Sequence, residues 1–193
     1  MPKIVDAEKY RKELLDKCFD LFANRGYANV TTRQIAEELG VSTGTLYHYF
    51  SNKQTLFVQL VEQISLQDVA ILQSIDRGLD IVAKIRELGR VLLENEEYII
   101  KQAAIWDNFY QQESASAIAV EGSFVFKEAD KRYERALLEL LELNDPQVAK
   151  FIWTLVDGIL YKQIGDRDSV CFATQVELLV QMLIAYFEKY ILS

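Results

Sequence analysis

The segment TTRQIAEELGVSTGTLYHYFSNK, residues 31–53, limits the possible folds of this chain more than any other stretch. Apolar residues at the spacing of one helix face run from Ile35 to Leu39. Gly40 follows them directly, at a position where helices commonly end in a left-handed conformation. Thr31 or Thr32 can cap the first helix, because a hydroxyl there accepts from a free backbone N–H. Two short helices around a glycine-containing turn predict a helix-turn-helix.

Polar and aromatic residues dominate the second short helix, apart from two inward-facing apolar residues, Leu46 and Phe50. The outward set is Thr43, Gly44, Thr45, Tyr47, His48 and Tyr49. Taken singly, Tyr47 and Tyr49 could be ordinary half-buried aromatics, and Lys53 at the start of the next helix a solvated charge. Their spacing on one helix and its exit favours contact with a nucleic acid. Arg33 places a positive charge at the positive end of a helix macrodipole, which is unfavourable. A phosphate or a guanine edge bound there would remove this penalty.

Residues 31–53, read with Ala23-Asn24-Arg25-Gly26-Tyr27, resemble the DNA-binding domain of TetR-type transcriptional regulators. TTRQIAEELGVS, TGTLYHYF and Asn52-Lys53 occur in order, and the likeness is dense over roughly residues 10–57. The resemblance implies an all-α protein with an N-terminal three-helix helix-turn-helix DNA-binding domain. That domain is expected at residues 1–53, and a C-terminal helical ligand-binding and dimerisation domain at residues 54–193.

The resemblance also implies nine DNA-contacting residues: Thr32, Arg33, Thr43, Gly44, Thr45, Tyr47, His48, Tyr49 and Lys53. Phosphate contacts are expected from His48, Tyr49 and Lys53, and they fix register without reading sequence. Only Arg33 is a strong candidate for bidentate recognition of a base. One helix-turn-helix of this kind has modest sequence selectivity. We therefore expect two of them to bind a near-palindromic, double-stranded DNA operator.

The net charge of −8 does not by itself suggest a DNA-binding protein. Residues 1–60 carry eight Lys/Arg and seven Asp/Glu, so the acidic excess lies in the remainder. The chain shows no cationic leader, and its longest uncharged apolar run lies between Glu177 and Glu188. Such a run is too short to cross a bilayer, so we expect a cytoplasmic protein with no membrane partner.

Helical patterns continue to the end of the chain, and no strand alternation persists. We expect helices over about residues 7–24, 52–75, 80–95, 96–113, 117–143, 146–164 and 169–191. Asp145 is a good cap, and Pro146 fits the first helical position after it. The helix beginning near residue 52 is expected to connect the two domains.

The last two helices carry more apolar surface than one core stripe needs, which suggests burial on two sides. The predicted interface of a two-fold homodimer is Ile152, Leu155, Ile159, Phe172, Val176, Leu179, Leu183 and Phe187. The alternative is that both helices are central in a monomer. A dimer would place its recognition helices about 34–36 Å apart, one turn of DNA.

Aromatic residues concentrate in the middle of the chain, where a generic helical domain would use them as core. Because Trp and Tyr bring polar atoms that seek partners when buried, the stripe could also line a small-molecule pocket. The candidates are Trp106, Phe109, Tyr110, Phe126 and Tyr133. We expect a small hydrophobic or amphipathic effector. Asp107 and Glu113 could add negative charge for a cationic one, although exposed carboxylates are commonplace.

An enzyme, a metal site and a cofactor are not expected. The single histidine lies in the predicted DNA-facing helix, and no glycine-rich phosphate loop occurs. Two cysteines, Cys18 and Cys171, and one histidine are too widely spread for a zinc site, and a disulfide is not expected in a reducing cytoplasm. The other class that remains is a helical small-molecule-binding or adaptor protein with a vestigial DNA-binding module.

Overall fold

The computed structural model of the protein describes residues 6–113, 119–166 and 170–190, with the side chains of residues 110, 112, 113 and 119–123 set aside. Within these ranges the chain is all-α and contains no strand, as the sequence predicts. The helices are α1 (Ala7–Arg25), α2 (Thr32–Glu38), α3 (Thr43–Tyr49), α4 (Lys53–Gln73), α5 (Ile81–Glu94), α6 (Glu96–Glu113), α7 (Ala119–Leu140), α8 (Pro146–Gly165) and α9 (Phe172–Tyr190).

Side-chain caps begin the short helices of the helix-turn-helix. Thr31 and Gln34 form a reciprocal capping box at α2, so the first of the two candidate threonines is the cap. The Ser42 hydroxyl accepts from the Thr45 amide at 2.9 Å, and the Asn52 side chain accepts from the Thr55 amide at 2.7 Å. These bonds satisfy backbone donors that no helical carbonyl reaches.

Two glycines end helices in the left-handed region. Gly26 follows α1 with a φ of 75°, and Gly40 follows α2 with a φ of 68°. Residues with a Cβ adopt this conformation only at a cost, so both turns depend on glycine. The turn between α2 and α3 therefore forms where the sequence predicts it.

The helices pack into two compact units. One is the described part of residues 1–65 and 104–129, and the other is the described part of residues 66–103 and 130–193. The division runs through α4, because its first half turns Leu56, Phe57 and Leu60 into the core of the first unit. The division into functional domains after residue 53 stays a prediction.

The core of the first unit is aromatic and includes parts of α6 and α7. The Phe57 ring stacks on Phe109 with 4.4 Å between centroids and 6° between planes. Tyr27 lies 4.8 Å from Phe57 and 5.1 Å from Phe109. The helix-turn-helix therefore shares one core with residues far away in sequence, a tertiary arrangement that no local pattern in residues 31–53 indicates.

In the second unit α5 and α9 approach closely. A Cβ at Gly89 would lie 2.5 Å from Cγ2 of Val180, so glycine permits this approach. Around the contact lies a core built mainly from Ile85, Leu88, Leu137, Leu141, Ile152, Val176, Leu179 and Phe187. Lys84 is buried at the edge of this core and forms an ion pair with exposed Glu142.

Among the described helices, α4 is long and apolar enough to cross a membrane by length and composition. Polar residues interrupt its apolar sequence, so no long uninterrupted apolar run marks this helix. The signal is weak, because core helices of soluble proteins meet the same criterion. Leu56, Phe57, Leu60, Val61 and Ile64 of α4 are buried within the protein.

Candidate nucleic-acid interface and effector region

Helix α3 is anchored by two apolar residues and presents polar groups outward. Leu46 and Phe50 are each 1 % exposed, whereas Tyr47 is 53 % exposed and His48 is exposed as well. The helix carries no acidic residue, so nothing on it repels a phosphate. A short helix with a fixed inner side and an open, uncharged-to-basic outer side can enter a groove of DNA.

Arg33, in the first turn of α2, is exposed, and none of the described residues pairs with it. Its charge is unfavourable at a helix N-terminus, so an anion or a base edge there would relieve it. Thr32 beside it is half-buried. Arg25 and Glu38 form an exposed ion pair at 3.3 Å that joins the end of α1 to α2.

The other residues of α3 that are predicted to contact DNA differ in their exposure and in their contacts within the protein. Thr43 and Gly44 are exposed. The Thr45 hydroxyl lies 2.9 Å from the Ser42 hydroxyl, within the cap itself. Tyr49 is half-buried, with its ring 5.4 Å from that of Tyr10. Of this set, Thr43, Gly44, Tyr47 and His48 therefore offer the most open surface.

Lys53 is engaged inside the protein. Its ammonium donates to the carbonyls of Tyr27 at 2.9 Å and Val30 at 3.0 Å, and lies 4.2 Å from the centre of the Tyr27 ring. These contacts connect the first residue of α4 with the loop between α1 and α2. Lys53 therefore holds this loop, and a phosphate that contacts it would have to compete with two carbonyls.

The predicted ligand-binding residues are divided between the two units. Trp106, Phe109 and Phe126 form a contact group in the first unit, with Phe126 5.5 Å from Trp106 and 5.4 Å from Phe109. Phe109 and Phe126 are buried. Tyr133 belongs to the second unit. The side chain of Tyr110 is outside the described residues, as is that of Glu113, while Asp107 accepts from the Gln111 amide at 2.7 Å.

A polar group in the second unit, which the sequence did not predict, surrounds Asp68 of α4. The Tyr98 hydroxyl donates to Oδ1 at 3.0 Å, and Gln102 and Tyr133 donate to Oδ2 at 2.8 and 2.6 Å. Burial raises the pKa of Asp68, opposed by these three hydrogen bonds. Burial also raises the pKa of Tyr133 well above its ordinary value, and the negative charge of Asp68 adds to this.

An aromatic pair extends this group toward α8. The rings of Tyr133 and Trp153 stack with centroids 4.3 Å apart, and the Trp153 indole donates to Asp130 Oδ1 at 3.1 Å. Burial raises the pKa of Asp130, and the indole hydrogen bond opposes this shift. Burial likewise raises the pKa of Asp157, and the charge of Asp130 adds to it. The sequence signal was available: Asp68 is four residues from Ile64 and Leu72 on an otherwise apolar helix face.

Most of the predicted dimer residues are core residues of the protomer. Ile152, Phe172, Val176, Leu179, Leu183 and Phe187 are all buried. They leave almost no surface for a second copy, so this assignment is corrected. Leu155 and Ile159 are half-buried. The apolar stripes predicted as an interface are the sides of the two helices that face the core. A stripe that faces the core and a stripe that faces a partner look alike in sequence.

A different set of large apolar side chains lies exposed on α8 and α9, which contact each other. We name it the α8–α9 surface, and it consists of Phe151, Tyr161, Leu178, Met182, Tyr186 and Tyr190. The four members on α9 recur every fourth residue along one side of the helix. An exposed apolar group of this kind is typical of an interaction surface.

Among the described residues, no three His, Cys, Asp or Glu side chains come together as metal ligands. Both cysteines are free thiols. Burial raises the pKa of Cys18 to about 12, whereas Cys171 is exposed and hydrogen bonds, first from Thr174, lower its pKa.

The fold and the outward α3 define a helix-turn-helix protein with a second, all-helical part. Residues 14–60 match the family of bacterial regulatory proteins, tetR family. The HTH-type transcriptional regulator PksA of Bacillus subtilis (strain 168) is 28 % identical over 56 % of this chain and 54 % of its own length. The chain thus spans about half the length of the curated relatives it matches. Over residues 14–60 the chain is therefore similar to the TetR family of bacterial regulatory proteins.

Solved structures with the same fold extend over nearly the whole chain. FadR from Bacillus subtilis, in complex with stearoyl-CoA, covers 89 % of this chain and 96 % of its own at 15 % identity, with a TM-score of 0.65. A regulator from Saccharomonospora viridis, in complex with choline, covers 95 % and 97 % at 17 % identity, with a TM-score of 0.62. At these identities the likeness establishes the fold.

Proposed function

We propose that this protein is a cytoplasmic, DNA-binding transcriptional regulator whose binding to an operator responds to a small molecule. In its simplest form it is a repressor that a hydrophobic or amphipathic effector releases from a near-palindromic operator. The observation that carries the proposal is α3, anchored by Leu46 and Phe50 and open on the side of Tyr47 and His48.

Arg33 and α3 would provide the readout. The proposed contacts are Arg33 to a base edge, Thr43 and Gly44 to bases or nearby phosphates, and Tyr47 and His48 to a thymine methyl or phosphates. Thr32, Thr45 and Tyr49 are proposed as neighbouring contacts. Since residues 1–60 are nearly neutral, the non-specific affinity for DNA is expected to be weak and sensitive to salt.

Effector binding is supported by two proteins of the same fold, whose structures hold stearoyl-CoA and choline. Trp106, Phe109, Tyr110, Phe126 and Tyr133 remain proposed ligand residues. An effector releases DNA only to the extent that it binds the two states of the protein with different affinities. Because Phe109 and Phe126 are buried, an effector that reaches them must displace their present contacts.

A homodimer is proposed through the α8–α9 surface, which replaces the interface inferred from sequence. A two-fold axis would bring the same apolar group of each copy against itself. Burial of Met182 and Tyr190, both 63 % exposed, would remove much apolar area from water. The two recognition helices of such a dimer would then read a near-palindromic site.

A mobility-shift titration against the DNA upstream of the chain's own gene tests the proposal. Specific binding that weakens as salt rises supports a regulator. A protein that folds, binds small molecules and ignores all duplexes at low salt would instead be the adaptor alternative, which the near-neutral N-terminal part favours.

Arg33→Ala sharpens this test. We expect the mutant to lose about 1–3 kcal/mol of discrimination at one base position per half-site. Arg25→Ala, which removes an exposed arginine paired with Glu38, is the matched control and should keep the parent consensus. A binding-site selection that returns the same consensus for Arg33→Ala and the parent would remove Arg33 from base readout.

A further inference from the structure

The Asp68 carboxylate is enclosed by neutral partners only. Its three hydrogen-bond donors are two phenols and an amide, contributed by α6 and α7. None of the lysines, arginines or the histidine in the described ranges forms an ion pair with it. Buried carboxylates are usually paired with a cation, because removing a charge from water is costly.

A purely structural connection among these helices would need no charge. Phenols and amides hydrogen-bond one another, and a neutral side chain at position 68 would avoid the desolvation of a carboxylate. An ionised carboxylate also has about four acceptor positions, of which the protein uses three. Asp68 can therefore accept one more donor or face a positive charge.

The surroundings supply the other component that organic cations need. Trp153 is half-buried, and its ring stacks on Tyr133, whose hydroxyl bonds to Asp68. Aromatic faces attract ammonium groups, and most strongly where water is excluded. Asp130, which accepts a hydrogen bond from the Trp153 indole, adds a second carboxylate beside the aromatic pair.

We infer that Asp68, Tyr98, Tyr133 and Trp153 form the binding site for the ammonium group of a small organic cation, and that this group belongs to the effector. The inference rests on the proposed ligand-responsive function and specifies its ligand class. It assigns the charge to Asp68 on α4 and the aromatic surface to α6, α7 and α8, four helices that one bound cation would connect.

Three probes that share a hydroxyethyl group test the inference by calorimetry on the full chain. They are choline, the smaller ethanolammonium, and 3,3-dimethylbutan-1-ol, the uncharged carbon isostere of choline. We expect at least one of the two cations to bind, and the alcohol to bind about tenfold more weakly or not at all. The two cations distinguish a quaternary head group from one that donates N–H bonds to Asp68.

Asp68→Asn should weaken binding of the cation by about tenfold or more, since it removes the charge and preserves the shape. Asp20→Asn, which removes a carboxylate at an exposed position of α1, should leave binding unchanged. Trp153→Leu keeps Asp68 intact and should weaken binding through loss of the aromatic face. It serves as the second variant should Asp68→Asn fail to fold, as judged by its melting transition.

Three outcomes would overturn the inference: no binding of either cation to the parent protein, equal binding of the alcohol, or full cation binding by a folded Asp68→Asn. Operator binding measured on the same samples separates the two proposals. A protein that shifts operator DNA but binds neither cation keeps its proposed function and loses only this ligand assignment.

Discussion

Lys53 illustrates how a residue can have partners in the structure that its position in the sequence does not indicate. A lysine at the exit of α3 is well placed for a phosphate, and nothing local distinguishes that role from another. The carbonyls of Tyr27 and Val30 that it binds come from a loop 26 and 23 residues earlier. For Asp68, the sequence shows a carboxylate on an apolar helix face, but only the tertiary structure shows its partners.

Lys53→Ala is expected to lower the free energy of unfolding by about 1–3 kcal/mol, because it leaves two carbonyls without their charged donor. Operator affinity should fall with it, but the slope of log affinity against log salt should stay the same. Titrations at several salt concentrations measure this. A slope reduced by about one, with stability unchanged, would return Lys53 to the phosphate contacts.

The two cysteines are expected to differ in reactivity. Since a thiolate is the reactive form, exposed Cys171 with its lowered pKa should react with a thiol reagent near pH 8. Cys18, with a pKa of about 12, should react only after denaturation. When labelled thiols are quantified, we expect one rapidly reacting thiol per chain in the native protein and none in Cys171→Ser. Rapid native labelling of Cys18 would show that the α1 core opens easily.

At the scale of elements, helix limits were predictable because their signals are local. Thr31, Ser42 and Asp145 cap the helices that follow them, and Gly26 and Gly40 end α1 and α2. The side that a helix presents to its neighbours was not predictable for α8 and α9. Both carry apolar residues on two sides, and only packing decides which side is the core.

The contact between α5 and α9 gives a prediction at this scale. Gly89→Ala gains about 1 kcal/mol of helix propensity, but its Cβ collides with Val180, and overpacking typically costs about 1–3 kcal/mol. We expect net destabilisation in urea unfolding. Val180→Ala removes the colliding methyl group, so the double mutant should be more stable than the two single effects added together. Strict additivity would mean that α5 and α9 are less closely packed.

At the scale of the whole molecule, the α8–α9 surface is expected to decide oligomeric state. Met182→Glu places a charge on this surface, so sedimentation should report a monomer with weakened operator binding and unchanged helical content. Leu66→Glu, an equivalent change at an exposed residue of α4, should leave the dimer intact. A Met182→Glu protein that remains dimeric would exclude Met182 from the interface.

The sequence by itself determined the helix-turn-helix and the helix limits, because caps, turns and a 3.6-residue period depend on neighbours in the chain. Tertiary structure alone decided which apolar stripe of α8 and α9 is core, what Lys53 binds, and that α6 and α7 enclose Asp68. These depend on helices distant in sequence, whose meeting is set by packing of the whole chain.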